Sequence, residues 1–234
     1  MKFVPGGLRP TRTAFRRLAL ALGASAILAV TASAQTGSSQ TGSSQTGSAN
    51  APADDSFHYN NLWEISGGLA YAGMPNGPNI QHRASLAGAD VAATQWIYPR
   101  LGATADLRTY AGLGNTNANP YTVNSPLFVE TYGSVGPEFR WIRTPAIGVT
   151  LHALAGGGYG IFDIHVPSGV NYQGLGTYPN GSTFDLIGGA NFDFNTPSGF
   201  GVRISPNVIT TDFHGDLRNS FTITAGLVWR YGKF

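Results

Sequence analysis

Cysteine is absent from all 234 residues, methionine occurs twice, and Asp, Glu, Lys and Arg together make up only 11% of the chain. Without a thiol there is no disulfide scaffold, no cysteine nucleophile, no thiolate metal site and no cysteine-linked lipid anchor. The charged fraction is far below the roughly 25% of an ordinary soluble domain, so a conventionally solvated exterior is hard to assemble from this sequence. Long apolar runs are missing too. The longest, Leu18 to Val30, has 13 residues, short of the roughly 20 that a membrane-spanning helix needs.

That run has a particular setting. Lys2, Arg9, Arg12, Arg16 and Arg17 precede it and Ala32-Ser33-Ala34 follows it, the three-part layout of a secretory signal with a small-residue cleavage site. Residues 1–34 are therefore predicted to be removed on export. The formal charge of +2 then changes sign, because five of the fourteen Lys and Arg lie in the signal and nine remain against twelve Asp and Glu. A mature chain that is mildly acidic is not a nucleic-acid binder of the usual basic kind. Residues 35–56 open with repeats of Thr-Gly-Ser-Ser-Gln. With almost nothing to bury, this segment cannot offset the entropy of ordering and is predicted to be a flexible linker.

Residues 57–234 form the remaining domain. They are rich in Gly and aromatics, show no helical period, and alternate in eight stretches: 62–73, 84–96, 100–111, 126–141, 147–159, 182–194, 200–212 and 218–231. The connections near 97–99, 142–146 and 195–199 are short, while those near 74–83, 112–125 and 160–181 are longer. Side-chain parity separates two faces. Glu64, Asp90, Asp106, Arg108, Glu130, Glu138, Arg140, His152, Asp185, Asp193, Arg203 and Arg230 share one phase with most Ser and Thr. The opposite phase, including Leu69, Tyr71, Leu107, Val135, Val149, Leu151, Phe184, Val202, Phe221 and Leu227, carries almost no charge.

Alternation alone does not say which phase faces out, since a soluble lipocalin-like barrel would bury the apolar one. Two features favour an apolar exterior: the low charge content, and aromatics collected at the short-turn ends of the strands. Trp63, Trp96, Tyr98, Trp141, Phe192, Phe200, Trp229 and Tyr231 would form a belt at one membrane interface. Pro137 and Pro206 fall inside two of these strands, where each removes a ladder donor, so bulges or displaced strand ends are expected there.

The last strand reads Thr224-Ala225-Gly226-Leu227-Val228-Trp229-Arg230-Tyr231, followed by Gly232-Lys233-Phe234. This resembles the C-terminal assembly signal of bacterial outer-membrane barrels, carried by Thr224, Gly226, Trp229, Tyr231 and the terminal Phe234, with Phe234 out of phase. With the strand pattern, it makes the chain similar to the OmpA transmembrane domain and OmpX-like proteins. The fold class expected is all-β, an eight-stranded antiparallel up-and-down transmembrane barrel. The resemblance implies the bacterial outer membrane as location, with outer-membrane lipid, the barrel-assembly machinery and periplasmic chaperones as partners, and no nucleic acid.

The inward phase is the candidate site. Glu64, Asp106, Glu130 and Asp185 are available to pair with Arg108, Arg140, Arg203 and Arg230 across a lumen filled by side chains. A stabilising charged plug is the reading adopted, with a narrow or gated pore and a lipid A-modifying enzyme as alternatives. His152 is followed by Ala153 and Leu154 rather than by the His-x-Ser of a deacylase, and no histidine pair has ligand spacing. No catalytic residue, cofactor or metal is predicted. An extracellular ligand would have to engage the segments 112–125 and 160–181.

Overall fold

In a computed structural model the described residues are 59–78, 80–170 and 172–233. The predicted signal 1–34, the linker 35–56 and the terminal Phe234 lie outside the described residues. Eight strands follow in order: β1 (Trp63–Pro75), β2 (Arg83–Trp96), β3 (Leu101–Leu113), β4 (Leu127–Arg143), β5 (Ile147–Ile164), β6 (Gly181–Asn195), β7 (Phe200–Phe213) and β8 (Asp216–Tyr231), with one helical turn, α1 (Tyr172–Leu175), between β5 and β6. Each strand pairs antiparallel with its neighbours in sequence, and β1 also pairs with β8 from Trp63↔Tyr231 to Gly73↔Phe221. The sheet is thus a closed eight-stranded up-and-down barrel, with no free edge.

Closure requires very close approach at the β1–β8 seam. Gly68 and Gly226 are paired there, and a Cβ placed on Gly226 would lie 2.1 Å from the Gly67 carbonyl oxygen. Only glycine lets the two backbones meet at this separation. Gly226→Val is therefore expected to prevent closure, read as loss of the compact, fast-migrating form in unheated gel samples while β2 to β7 remain unchanged in sequence.

Alternation in the sequence becomes alternation in space. β3 reads exposed, buried, exposed, buried along Leu101 to Ala111. On the outer face Leu69 is 78% exposed, Val135 64% and Leu227 63%, whereas Glu64, Arg140 and Asp193 are fully inside. Val149 departs from its phase and is buried, next to an irregularity in β4 where pairing with β5 shifts by one residue between Arg140 and Ile142.

The prolines do not behave as expected. The β4–β5 register runs Val135↔Ala155 and resumes at Glu138↔His152 without a shift, so Pro137 sits in a short gap of the ladder rather than in a bulge. Pro206 lies in the same kind of gap between Gly189↔Asn207 and Phe192↔Ile204. In each case the missing donor faces the interrupted side, so the other neighbouring strand stays paired. The register shifts fall instead at Leu127/Val129 and Arg140/Ile142.

The connections 97–100, 144–146 and 196–199 close one rim. At the opposite rim, 76–82, 114–126 and 165–180 are longer, but β7 and β8 are joined by His214-Gly215 alone. Both residues have positive φ, 57° and 85°, the pattern of a type I′ hairpin that matches strand twist.

Candidate functional site

The lumen is filled in three layers. Nearest the short-turn rim, Glu64 of β1 is the hub, because strand order brings β4, β7 and β8 around it. Its Oε1 accepts from Arg140 Nη2 at 2.7 Å and Arg230 Nε at 3.1 Å, and its Oε2 accepts from Arg203 Nη2 at 2.8 Å. Asp193 on β6 is the second hub, accepting from Arg203 Nε at 2.7 Å, from Arg203 Nη2 at 2.8 Å and from Arg230. Arg203 therefore spans two carboxylates. Asn61, just before β1, accepts from Arg140 at 2.8 Å and donates to Glu64 at 3.3 Å. The Tyr59 hydroxyl accepts from Asn195 at 2.6 Å, so residues ahead of the first strand close the base.

Glu138 belongs to this layer by position but is held differently. Thr94 and Thr104 donate to one oxygen at 2.8 and 2.6 Å, while Thr150 and Asn191 donate to the other at 2.5 and 2.9 Å. Four neutral donors fill its acceptor sites, which is what a buried carboxylate that no arginine contacts directly requires.

In the middle layer Arg108 grips Asp106 two residues away on the same strand, at 2.6 and 2.7 Å. Asp90 on β2 accepts from Thr224 on β8 at 2.6 Å, bridging the inner side of β1, and His152 Nε2 lies 2.7 Å from Asn207 Oδ1. Between these groups is a cavity of about 30 Å³ lined by Asp90, Asp106, Arg108, His152 and Asn207 among others. That is about the volume of one or two water molecules, and far too small for a solute.

Towards the long-loop rim the lumen turns apolar. Met74, Leu86, Tyr110, Phe128, Tyr132, Phe162, Tyr178 and Phe213 are all buried in one cluster. Phe162 is its centre, with ring centroids 5.1 Å from Phe128, 5.2 Å from Phe213 and 5.6 Å from Tyr178. Tyr178 enters from the loop before β6 and donates its hydroxyl to Asp216 at 3.1 Å, which also takes Arg218 at 2.9 Å. Burial, followed by the Asp216 carboxylate, pushes the Tyr178 phenol up to about 12. A raised phenol pKa favours the closed loop up to about pH 10 and loses that contribution as pH rises through about 12. Phenolate absorbance is accordingly expected to develop in two stages, with the Tyr178→Phe variant lacking part of the later one.

Two of the four expected carboxylate partnerships are replaced. Glu64 and Asp106 meet arginines, but Glu130 accepts from Tyr132 on its own strand and Asp185 accepts from Ser134. Strand stagger brings a hydroxyl rather than a guanidinium against each of these carboxylates, a match that parity does not encode. Asp193 supplies the missing acid in the lower layer. The apolar outer layer was also missed, although its signal is visible: Met74, Leu86, Tyr110, Phe128, Tyr132, Phe162 and Phe213 share the phase of the charged residues at the other ends of the strands.

Of the belt residues, Tyr98, Trp141, Phe192, Phe200, Trp229 and Tyr231 are exposed on the outside and Trp63 is half-buried. Phe200 and Trp229 stack across β7 and β8 at 5.9 Å, and Tyr231 lies 5.0 Å from Trp229. Trp96 is a correction. It lies on the phase of Asp90 and Thr94, is fully buried, and its ring sits 3.6 Å from the Arg140 guanidinium. Its place at a strand end suggested the belt, but its parity puts it under the ion pairs as a cation–π platform. Trp96→Ala is therefore expected to cost about 3–5 kcal/mol, against under about 1 kcal/mol for the exposed Trp141→Ala in detergent micelles. Paired thermal melts check this.

In the C-terminal motif Thr224 and Gly226 face inward while Trp229 and Tyr231 face outward. No protein-family model matches the chain, and no curated protein sequence matches it. Among solved structures it is similar to Ail of Yersinia pestis, crystallised with the heparin analogue sucrose octasulfate, at 17% identity and a TM-score of 0.43 over 72% of this chain and 97% of that one. It is similar to Neisserial surface protein A at 12% identity and 0.47, over 72% and 97%. It is also similar to the outer-membrane protein OprG of Pseudomonas aeruginosa at 9% identity and 0.48, over 72% and 95%.

Proposed function

We propose that this chain is an integral barrel of a bacterial outer membrane, with a plugged lumen and a structural or surface-interaction role in the envelope. The observation that carries this is the inversion of the barrel. Charged side chains of the mid-strand region point inward and are buried, while the outer wall presents Leu69, Val91, Leu107, Val135, Leu151, Leu186, Val208 and Leu227. A water-soluble barrel would expose a continuous apolar wall at great cost. A lipid bilayer solvates that wall, and closure satisfies the backbone within it. Outward Trp141, Phe200, Trp229 and Tyr231 at the short-turn rim suit the interface between hydrocarbon and head groups.

Membrane fractionation with heat-modifiable gel mobility tests the reading. Recovery in outer-membrane fractions, extractable only with detergent, is the expected result; a monomer soluble without detergent would overturn it in favour of a lipocalin-like protein. The reading is non-enzymatic. Within the described strands His152 is the one histidine, and it faces Asn207 in the lumen rather than lipid. Lipid A mass spectra should be the same with and without the gene. The pore alternative has one supporting feature, the small polar cavity between the ion-paired layer and the aromatic layer. Planar bilayers are expected to record no steady conductance.

A further inference from the structure

The three long connections at the rim opposite the tryptophans carry no Asp, Glu, Lys or Arg at any position of 76–82, 114–126 or 165–180. Ten of their residues are Asn or Gln and three are Tyr, with His82 and His165 as the titratable exceptions besides tyrosine. Loop surfaces are ordinarily where charge collects, so three connections of this length without a charged side chain require an account; the charges at this rim belong to the strand ends, with Arg83 on the Gly73 and Asn219 carbonyls, Arg218 on Asp216 and the Pro78 carbonyl, and Asp163 on Asn180.

These connections are also fastened to one another. The Asn117 N–H donates to the Leu175 carbonyl at 3.1 Å, and the Asn115 N–H donates to Asn76 Oδ1 at 2.9 Å. Asn76 in turn donates to the His82 carbonyl. A Cβ on Gly77 would fall 1.9 Å from the Gly176 carbonyl oxygen, so the first and third loops touch through backbone. Within 114–126 Asn119 is a hub, donating to the Asn117 and Val123 carbonyls at 2.9 and 2.7 Å and accepting from the Tyr121 and Val123 N–H groups at 3.1 and 3.2 Å. Leu175, Thr177 and Tyr178 are buried beneath. The cap is built rather than loose, which lowers the ordering cost of binding.

Two rings stand out of it. Tyr121 is 44% exposed and Tyr172 is 42% exposed, on loops that meet where Tyr121 Cε2 lies 3.6 Å from the Cβ position of Gly174. We propose that this cap is a binding surface for an uncharged oligosaccharide. The proposal rests on the outer-membrane reading and names the partner class for its surface role. A pyranose offers a C–H face and a ring of hydroxyls that both donate and accept. An exposed phenol ring suits the first, and amides, which also both donate and accept, suit the second. Tyr, Asn, Ser and Gly on a preorganised frame make an adaptable recognition surface without formal charge. The loops themselves offer no cation to a polyanion and no acid to a cationic peptide, and the strand-end charges that reach them, Arg218 and Asp163, are engaged with Asp216 and Asn180.

The test uses the full mature protein, purified in detergent, on an array of neutral hexose and N-acetylhexosamine oligosaccharides with heparin as the polyanion. Binding to one or more neutral glycans, altered less than twofold between 50 and 500 mM salt and weakened at least tenfold in Tyr121→Ala/Tyr172→Ala, is the expected outcome. The variant must keep its heat-modifiable mobility, and Tyr121→Phe/Tyr172→Phe should retain most binding because the ring faces remain. No binding to any neutral glycan, binding unchanged by the alanine pair, recognition of heparin alone, or capture of a protein partner alone would overturn the proposal. Fractionation to the outer membrane with no glycan binding would reject the cap and leave the barrel reading standing, whereas a soluble protein would reject that reading first.

Discussion

Arg203→Ala is expected to destabilise the barrel by about 3–5 kcal/mol, because it removes one of the two arginines, with Arg230, that contact both acidic hubs of the lower layer and leaves buried carboxylate oxygens undersupplied. Glu64 would keep Arg140 and Arg230, while Asp193 would keep Arg230 alone among its arginines. Thermal unfolding in detergent measures the loss. Adding Asp193→Asn to Arg203→Met should recover part of it, since the unpaired charge then goes with its partner, and a double-mutant cycle separates this coupling from lost packing. Unchanged stability in Arg203→Ala would show that water reaches the layer freely and that the charges do not act as a dry plug. Conductance is a separate question. The apolar layer lies in series above the ion pairs, so Arg203→Ala alone is expected to remain silent in planar bilayers.

Phe162→Ala has the second large effect. Phe162 is 1% exposed and touches three rings of the outer layer, so its truncation should cost about 3–5 kcal/mol through lost burial and the cavity left behind. Tyr178 loses a face of its packing in the same step, and the loop it anchors should become more accessible to protease between 165 and 180. Phe162→Ala is also expected to be silent in bilayers, now because the lower ion pairs remain. The two side chains lie in different layers, Phe162 among aromatic rings and Arg203 among carboxylates, so their stability costs should add within about 0.5 kcal/mol, while brief conductance events should be seen only when Phe162→Ala and Arg203→Ala are combined. Steady conductance of either single variant would show that the layer left intact does not block the lumen by itself and that the series arrangement is wrong.

The alternation of residues was enough to place eight strands, in most cases within two residues of their ends, because a period of two follows directly from backbone geometry and every strand has one face unlike the other. Parity also gave the inward set from Glu64 to Arg230. It contained Trp96 as well, but the position of that residue at a strand end suggested an interface role, and its parity with Thr94 and Asp90 was the better guide. The Gly226 seam could be read only as a motif, because the sequence does not reveal that Gly68 lies opposite.

What the sequence determined by itself is therefore local: eight strands, and which side of each strand carries charge. The closed barrel decided which charges meet. Partnerships in the lumen depend on the height of each residue along the axis, and height follows from the stagger between paired strands, a property of the whole sheet. That stagger sets Asp193 beside Arg203 and Arg230, gives Glu130 and Asp185 hydroxyl partners, Tyr132 and Ser134, instead of arginines, and gathers Phe128, Phe162, Tyr178 and Phe213 into an apolar layer. Residues on the same phase but from strands far apart in sequence become neighbours only when β1 meets β8, so the division of the lumen into a charged base, a small polar cavity and an aromatic top belongs to the tertiary structure alone.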